Sequence, residues 1–286
     1  MKTGFIGLGT LGTAMAGRLM AENIELAVLN RTAEKAAKLG LKPAAHPAAL
    51  FSECEIVIIN LFESAAVGEV LTGKNGLLTG DCQGRTVVDT TTNHFNDVLA
   101  FHELCREKGA AYVEAPVLGS VVPASKGALT IVASGEENAY LTAKPLLEKL
   151  GQHIFHLPEP GTATRMKLVN NLLLGTFMTS LAEALILGEK AGIEKEKVLD
   201  ILAAGAGNSG VLNAKRQKLL DENFDVHFSA AAIYKDLHFL QDLARELKRP
   251  LFTGSTAKEI FALAAAKNLE KMDFSVVYKV LKSLSV

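Results

Sequence analysis

Lys167, Asn170 and Asn171 interrupt a long apolar stretch, GTATRMKLVNNLLLGTFMTSLAEALILGEKAG, running from Gly161 to Gly192. Its periodicity is helical, so Lys167 and Asn171, four apart, share a face and can touch. A lysine with an amide beside it, near a domain junction, is the residue pair in this stretch that could carry chemistry. On the helix alone a plainer reading stays open. A lysine can bury its stem and reach water, and an Asn pair can sit at a helix–helix contact. Thr162 or Thr164 suits the helix N-cap, and Gly192 the C-cap.

A second constellation lies at the N-terminus. Lys2 to Leu8 reads as a buried strand that runs into Gly7-Leu8-Gly9-Thr10-Leu11-Gly12 and then into a helix-like segment. Strand, GxGxxG and helix in that order point to a dinucleotide. Gly7 permits the tight turn, Gly9 lets backbone amides approach a pyrophosphate, and Gly12 lets the helix pack close. Leu8 and Leu11 belong to the same cofactor-facing turn. A strand–helix turn with no ligand is the alternative. The next strand, Ile24 to Leu29, ends at Asn30-Arg31-Thr32, without the acid that commonly holds an NAD ribose. Arg31 would attract a 2′-phosphate, and Thr32 can add a hydrogen bond. The expectation is NADP(H) over NAD(H), unless Arg31 is only a solvated charge.

These residues need a frame. Runs at 56–61, 86–89, 110–115, 129–133 and 153–156 read as strands, with helices between them at 97–108, capped by Asn93 or Asn96, and 136–150. The alternation implies a Rossmann-type, mostly parallel, doubly wound sheet. Ligands then bind beyond the carboxyl ends of the strands. Three strand-end loops follow: Asn60-Leu61-Phe62, Asp89 to Asn93, and Glu114 to Ser120. The threonines of the second, Thr92 included, fit turn chemistry equally well. In the third, the Gly119 and Ser120 amides and the Ser120 hydroxyl could hold a carboxylate, or the segment could be a surface connection. Beyond Gly192 the pattern is helical, at 195–204, 211–220, 230–248, 255–267 and 274–284. The expected organisation is a dinucleotide-binding domain over 1–161, an interdomain helix over 162–192 and an all-α domain over 193–286. Tyr234-Lys235-Asp236-Leu237 lies near the start of the 230–248 helix; adjacent side chains there should diverge and not pair.

The chain has 286 residues and a net charge of -1, which argues against nucleic acid. Cys54, Cys82 and Cys105 have no metal spacing, and of the seven histidines just His153 and His156 lie three apart, on a strand-like run, so all seven read as structural or surface residues and no metal is expected. The cysteines read as reduced thiols of a cytoplasmic protein. Glycines at 4, 7, 9 and 12 break a signal-like start, and Asn170, Asn171 and Glu183 interrupt the one run of membrane length.

Together these segments resemble the β-hydroxyacid dehydrogenase family along essentially the whole chain. GFIGLGTLGTAMAGRL is similar to its cofactor signature and EAPVLGSVVPASKGALTIVASG to its substrate loop. GTATRMKLVNN is similar to its catalytic helix, and YKDL to its C-terminal motif. The resemblance implies Lys167 as catalytic lysine and Asn171 as the amide positioning substrate and lysine. It implies Gly119 and Ser120 in the carboxylate grip, Thr92 near the nicotinamide ribose and Leu61 against the cofactor. Lys235 and Asp236 would close over the site, Asp236 toward substrate and Lys235 toward cofactor. Glu114 and Leu118 depart from the family's Asp and Ser. The implied activity is NADPH-dependent reduction of a short semialdehyde or oxoacid, glyoxylate or succinic semialdehyde. The alternatives are 3-hydroxyisobutyrate or tartronate semialdehyde chemistry and, from another class, a non-catalytic NADP-binding sensor. A homodimer or homotetramer is expected.

Overall fold

Short apolar strands build the sheet, and its central members, Thr3–Ile6, Ile56–Ile59 and Thr86–Asp89, are buried on both faces. The computed structural model describes residues 2–284. The chain forms two compact units, Met1–Lys167 and Leu168–Val286.

In the first unit the order is β1 (Thr3–Ile6), α1 (Thr10–Ala21), β2 (Leu26–Leu29), α2 (Glu34–Ala37), α3 (Pro47–Glu53), β3 (Ile56–Ile59) and α4 (Ser64–Thr72). Then come β4 (Thr86–Asp89), α5 (Phe95–Glu107), β5 (Ala111–Glu114), β6 (Val117–Leu118), α6 (Val121–Ser125), β7 (Leu129–Ser134), α7 (Glu137–Leu150) and β8 (Gly151–Leu157). The strand order is β2-β1-β3-β4-β5-β7-β6, with β8 paired to β7. Phe5, Ile56, Ile58, Val88 and Val113 pack with α1 and α7 on one face. Ile6, Val57, Ile59, Val87 and Tyr112 pack with α3, α4 and α5 on the other. Order reverses between β1 and β3, so the loops after those strands form the crevice where such sheets take ligands.

The doubly wound reading holds, with one difference. β7 runs antiparallel to β5 and β6, because the short β6–β7 connection through α6 cannot make a parallel crossover. The loop expected over Glu114 to Ser120 contains β6 and leads into α6, which packs on α1. The cap of α5 is His94, whose Nδ1 accepts from the Asn96 amide, and not Asn93 or Asn96.

The long helix α8 (Thr162–Lys190) continues from the first unit into the second. By length and composition it could cross a membrane. Its buried Thr164, Lys167 and Asn171 bond to protein groups, which fits a packed helix. The second unit adds α9 (Lys195–Ala204), α10 (Gly210–Asp221), α11 (Ala230–Glu246), α12 (Phe252–Ala266) and α13 (Val277–Lys282). It is helical as expected, with a single isolated β-bridge, Ser229 to Asp273, among its described residues.

Candidate active site

The glycine turn is fixed by sterics. Gly7 has φ of 100°, and a Cβ on it would lie 2.1 Å from the Asn60 carbonyl oxygen. A Cβ on Gly12 would lie 2.0 Å from the Gly7 carbonyl oxygen. Gly9 differs, because a Cβ there would meet no atom within 4 Å. Gly9 is also the N-cap of α1, with no side-chain cap and no acid in the first turn. Helix amides and a partial positive charge therefore face open space, as a pyrophosphate requires. These residues fit a nicotinamide dinucleotide.

Asn30 braces this turn. Its Oδ1 accepts from the Leu8 amide at 2.8 Å and its Nδ2 donates to the Thr32 carbonyl at 2.9 Å. The Leu8 side chain lies in the core and Leu11 packs half-buried against it. Arg31 and Thr32 are exposed at the same strand end. Across the crevice, Thr90 Oγ1 donates to the Ile59 carbonyl at 2.7 Å and accepts from Asn60 at 2.9 Å. The Leu61 amide donates to Thr91 Oγ1 at 3.0 Å. Beneath, the buried Asp89 accepts from the Thr91 amide, Asn93 and the Tyr112 hydroxyl. Burial pushes the Asp89 carboxyl above its ordinary range against those donors, and pushes the Tyr112 phenol well up. The threonine loop that includes Thr92 thus hangs from a buried carboxylate.

Lys167 is only 6% exposed, and its Nζ donates to the Val117 carbonyl at 2.8 Å. That carbonyl immediately precedes Leu118-Gly119-Ser120, where Gly119 has φ of 124° and Ser120 starts α6. The lysine that sequence spacing singled out and the small-residue loop therefore meet inside one unit. The option of a lysine reaching bulk water does not hold.

Glu114, an apparent substitution in the sequence, caps α8. Its carboxylate accepts from the Gly161 amide and from the Thr164 amide and hydroxyl. Ser134 Oγ donates to it at 2.8 Å and accepts from the Ala163 amide at 2.9 Å. His102 Nε2 lies 3.6 Å away. Burial pushes Glu114 up, but the donors from His102, Thr164 and Ser134 outweigh it and hold the carboxyl below the usual range. Neither Thr162 nor Thr164 caps the helix: Thr162 donates to the Glu159 carbonyl, and Thr164 to Glu114. The only local signal for Glu114 was an acid ending an apolar strand.

In the second unit Asn171 is fully buried and donates to Asp236 Oδ2 at 2.6 Å. Asp236 Oδ1 accepts from Lys235 Nζ at 2.6 Å, and that ammonium lies 4.6 Å from the Phe239 ring centroid. This corrects the expectation that neighbours at 235 and 236 diverge. The long lysine stem curls back over the helix to reach the adjacent carboxylate.

The chain is similar to known proteins over nearly its whole length. Residues 2–158 match the NAD binding domain of 6-phosphogluconate dehydrogenase. Residues 161–281 match the NAD-binding domain of NADP-dependent 3-hydroxyisobutyrate dehydrogenase. The chain is 30% identical over 285 residues to glyoxylate/succinic semialdehyde reductase 1 of Arabidopsis thaliana, covering 99% of each. The crystal structure of 3-hydroxyisobutyrate dehydrogenase from Salmonella typhimurium superposes with a TM-score of 0.90 at 26% identity, covering 98% of this chain and 99% of that one. A structure of Psf3 in complex with NADP+ and 2-OPP gives 0.90 at 28% identity, with the same coverage. With its glycine turn, buried lysine and both halves matched, the chain belongs to the β-hydroxyacid dehydrogenase family and is an NAD(P)-dependent oxidoreductase.

Proposed function

We propose that this protein uses NADPH to reduce the carbonyl of a short semialdehyde or oxoacid, with glyoxylate and succinic semialdehyde the preferred candidates. The observation that carries this reading is Lys167 Nζ held against the Val117 carbonyl at the mouth of the Gly119–Ser120 loop. The nicotinamide, when bound, supplies the hydride. The protein supplies the rest. The Gly119 and Ser120 amides and the Ser120 hydroxyl hold the substrate carboxylate, which fixes orientation. The Lys167 ammonium stabilises the oxygen as negative charge grows on it, then donates a proton there. Asn171 sits one turn along α8 and assists in placing substrate and lysine. Asp236 takes Asn171 on one oxygen and Lys235 on the other, and so holds these two side chains in place at the side expected to close over substrate.

The similarity to the Arabidopsis reductase supports the substrate class. Arg31 and Thr32, exposed at the end of β2, where no acid precedes Glu34 of α2, support NADPH. The test is a rate panel of glyoxylate, succinic semialdehyde, methylmalonate semialdehyde and tartronate semialdehyde with both NADPH and NADH. Turnover of methylmalonate semialdehyde or tartronate semialdehyde alone would move the assignment to those substrates. No turnover at all would favour a sensor. Lys167→Ala should lower kcat by about 10²- to 10⁴-fold while NADPH still binds; an unchanged kcat would remove Lys167 from the mechanism. The assembly proposed is a homodimer or homotetramer in the cytoplasm, with light scattering as the check on its size.

A further inference from the structure

We propose that Glu114 is a positioning residue for catalysis, setting the reach of Lys167 by clamping the first turn of α8 onto the end of β5. The proposal rests on Lys167 being the general acid.

Thr164 and Lys167 are three apart and lie on one helix face. Glu114 and Val117 are three apart along the strand end. Thr164 bonds to Glu114, and Lys167 bonds to the Val117 carbonyl. One helix face is thus fastened at two points to one four-residue segment. The upper fastening is ionic and deeply buried, with Glu114 1% exposed. It gathers the Gly161 and Thr164 amides and the Thr164 hydroxyl, with Ser134 bridging to Ala163. Helix amides and the dipole favour a negative charge at this place. His102 and the groups on α8 leave the carboxylate below its usual protonation range, so the clamp is charged at neutral pH. The same segment continues into Gly119 and Ser120. A slip of the helix against it would therefore move the ammonium relative to the carboxylate grip. Misplacement by about 1 Å can cost about a hundredfold in rate.

The amide in Glu114→Gln keeps the size and one acceptor but turns an N–H group toward helix donors. The experiment is a double-mutant cycle of Glu114→Gln and Lys167→Ala, followed by NADPH consumption with whichever aldehyde of the panel turns over fastest. In the presence of Lys167, kcat should fall about ten- to a hundredfold, with KM for NADPH changed less than about twofold. In the Lys167→Ala background the same change should lower kcat less than about twofold. Glu114→Asp should recover part of the loss. An equal loss in both backgrounds, or no loss with Lys167 present, overturns the proposal. If Lys167→Ala alone leaves kcat unchanged, the general-acid reading fails first, and that result is distinct. Should Glu114→Gln not fold, Thr164→Val removes one donor to the clamp and is read by the same criteria.

Discussion

The Leu8 amide and the Asn30 side-chain oxygen are 2.8 Å apart although 22 residues separate them. This contact ties the glycine turn to the end of β2, so the phosphate-facing turn is set by the strand that also presents Arg31. The two neighbours should therefore behave differently. Arg31→Ala should raise KM for NADPH by about ten- to a hundredfold, the worth of a charge-assisted bond, and leave KM for NADH nearly unchanged. Asn30→Ala should weaken both cofactors alike, because it loosens the turn and not a phosphate contact. Steady-state KM with each cofactor decides this. An equal effect of Arg31→Ala on NADH would end the case for NADPH selection by Arg31.

Gly9 and Gly12 allow a second separation. A Cβ on Gly12 would collide with the Gly7 carbonyl, whereas one on Gly9 would touch no protein atom. Gly12→Ala should lower stability by about 2–3 kcal/mol or more. Gly9→Ala should melt within a few degrees of the parent but lose most of its NADPH affinity, because its methyl enters the space next to the α1 amides. Thermal melts beside NADPH titration test both. A Gly9→Ala protein that binds NADPH normally would place the cofactor elsewhere.

What the sequence exposed and what it hid follow from the range of each interaction. Gly7 and Gly12 were legible because their spacing lies within one strand–turn–helix segment, although the backbone that excludes a Cβ at Gly7 is that of distant Asn60. The helices were legible because burial of one face repeats at helical spacing, and 195–204 was placed to the residue. Glu114 was not legible as a cap. Its partner Thr164 is 50 residues away, and a carboxylate arriving from another strand leaves no local pattern. Asn30 had the right spacing for a ligand contact, but spacing alone cannot tell that its amide turns inward. His94 was missed as a cap because Ser, Thr, Asp and Asn are the expected types. The pairing of Lys235 with Asp236 broke a rule that holds for Cβ directions but not for a long flexible stem.

Asp236 offers a test of the second unit. One oxygen takes the Asn171 amide and the other takes Lys235. Asp236→Asn can still accept from Lys235, but its new N–H group faces Asn171 and should make that amide flip. The flip exchanges the donor and acceptor that Asn171 presents, so kcat should fall about tenfold while the melting temperature changes little. Asp236→Ala takes the acceptor from the buried Asn171 amide and should cost about 1–3 kcal/mol of stability as well. Kinetics and thermal melts on the same preparations distinguish the two variants. A kcat equal to the parent's in Asp236→Asn would show that the orientation of Asn171 is immaterial.

Acid should unfold this protein through two buried carboxylates. Asp273 accepts from Lys215 at 2.8 Å, from the His227 and Phe228 amides, and from the Ser275 amide and hydroxyl. Burial pushes its carboxyl up, but Lys215 and the other donors hold it below the usual range, as the α8 cap does for Glu114. A depressed native value means the unfolded chain binds the proton more readily. Their contribution is therefore complete above the ordinary carboxylate range of about 4 and disappears as pH falls through the lower native values. Asp89 has the opposite sign, since its raised native value favours the protonated folded state. Urea midpoints should fall steeply once pH drops below about 4, through the depressed native values of Asp273 and Glu114. Asp273→Asn should cost about 3–5 kcal/mol at neutral pH, because Lys215 stays buried with its counter-charge removed, and its midpoint should fall less steeply in acid. An Asp273→Asn protein with the parent's acid slope would assign the acid sensitivity to other carboxylates.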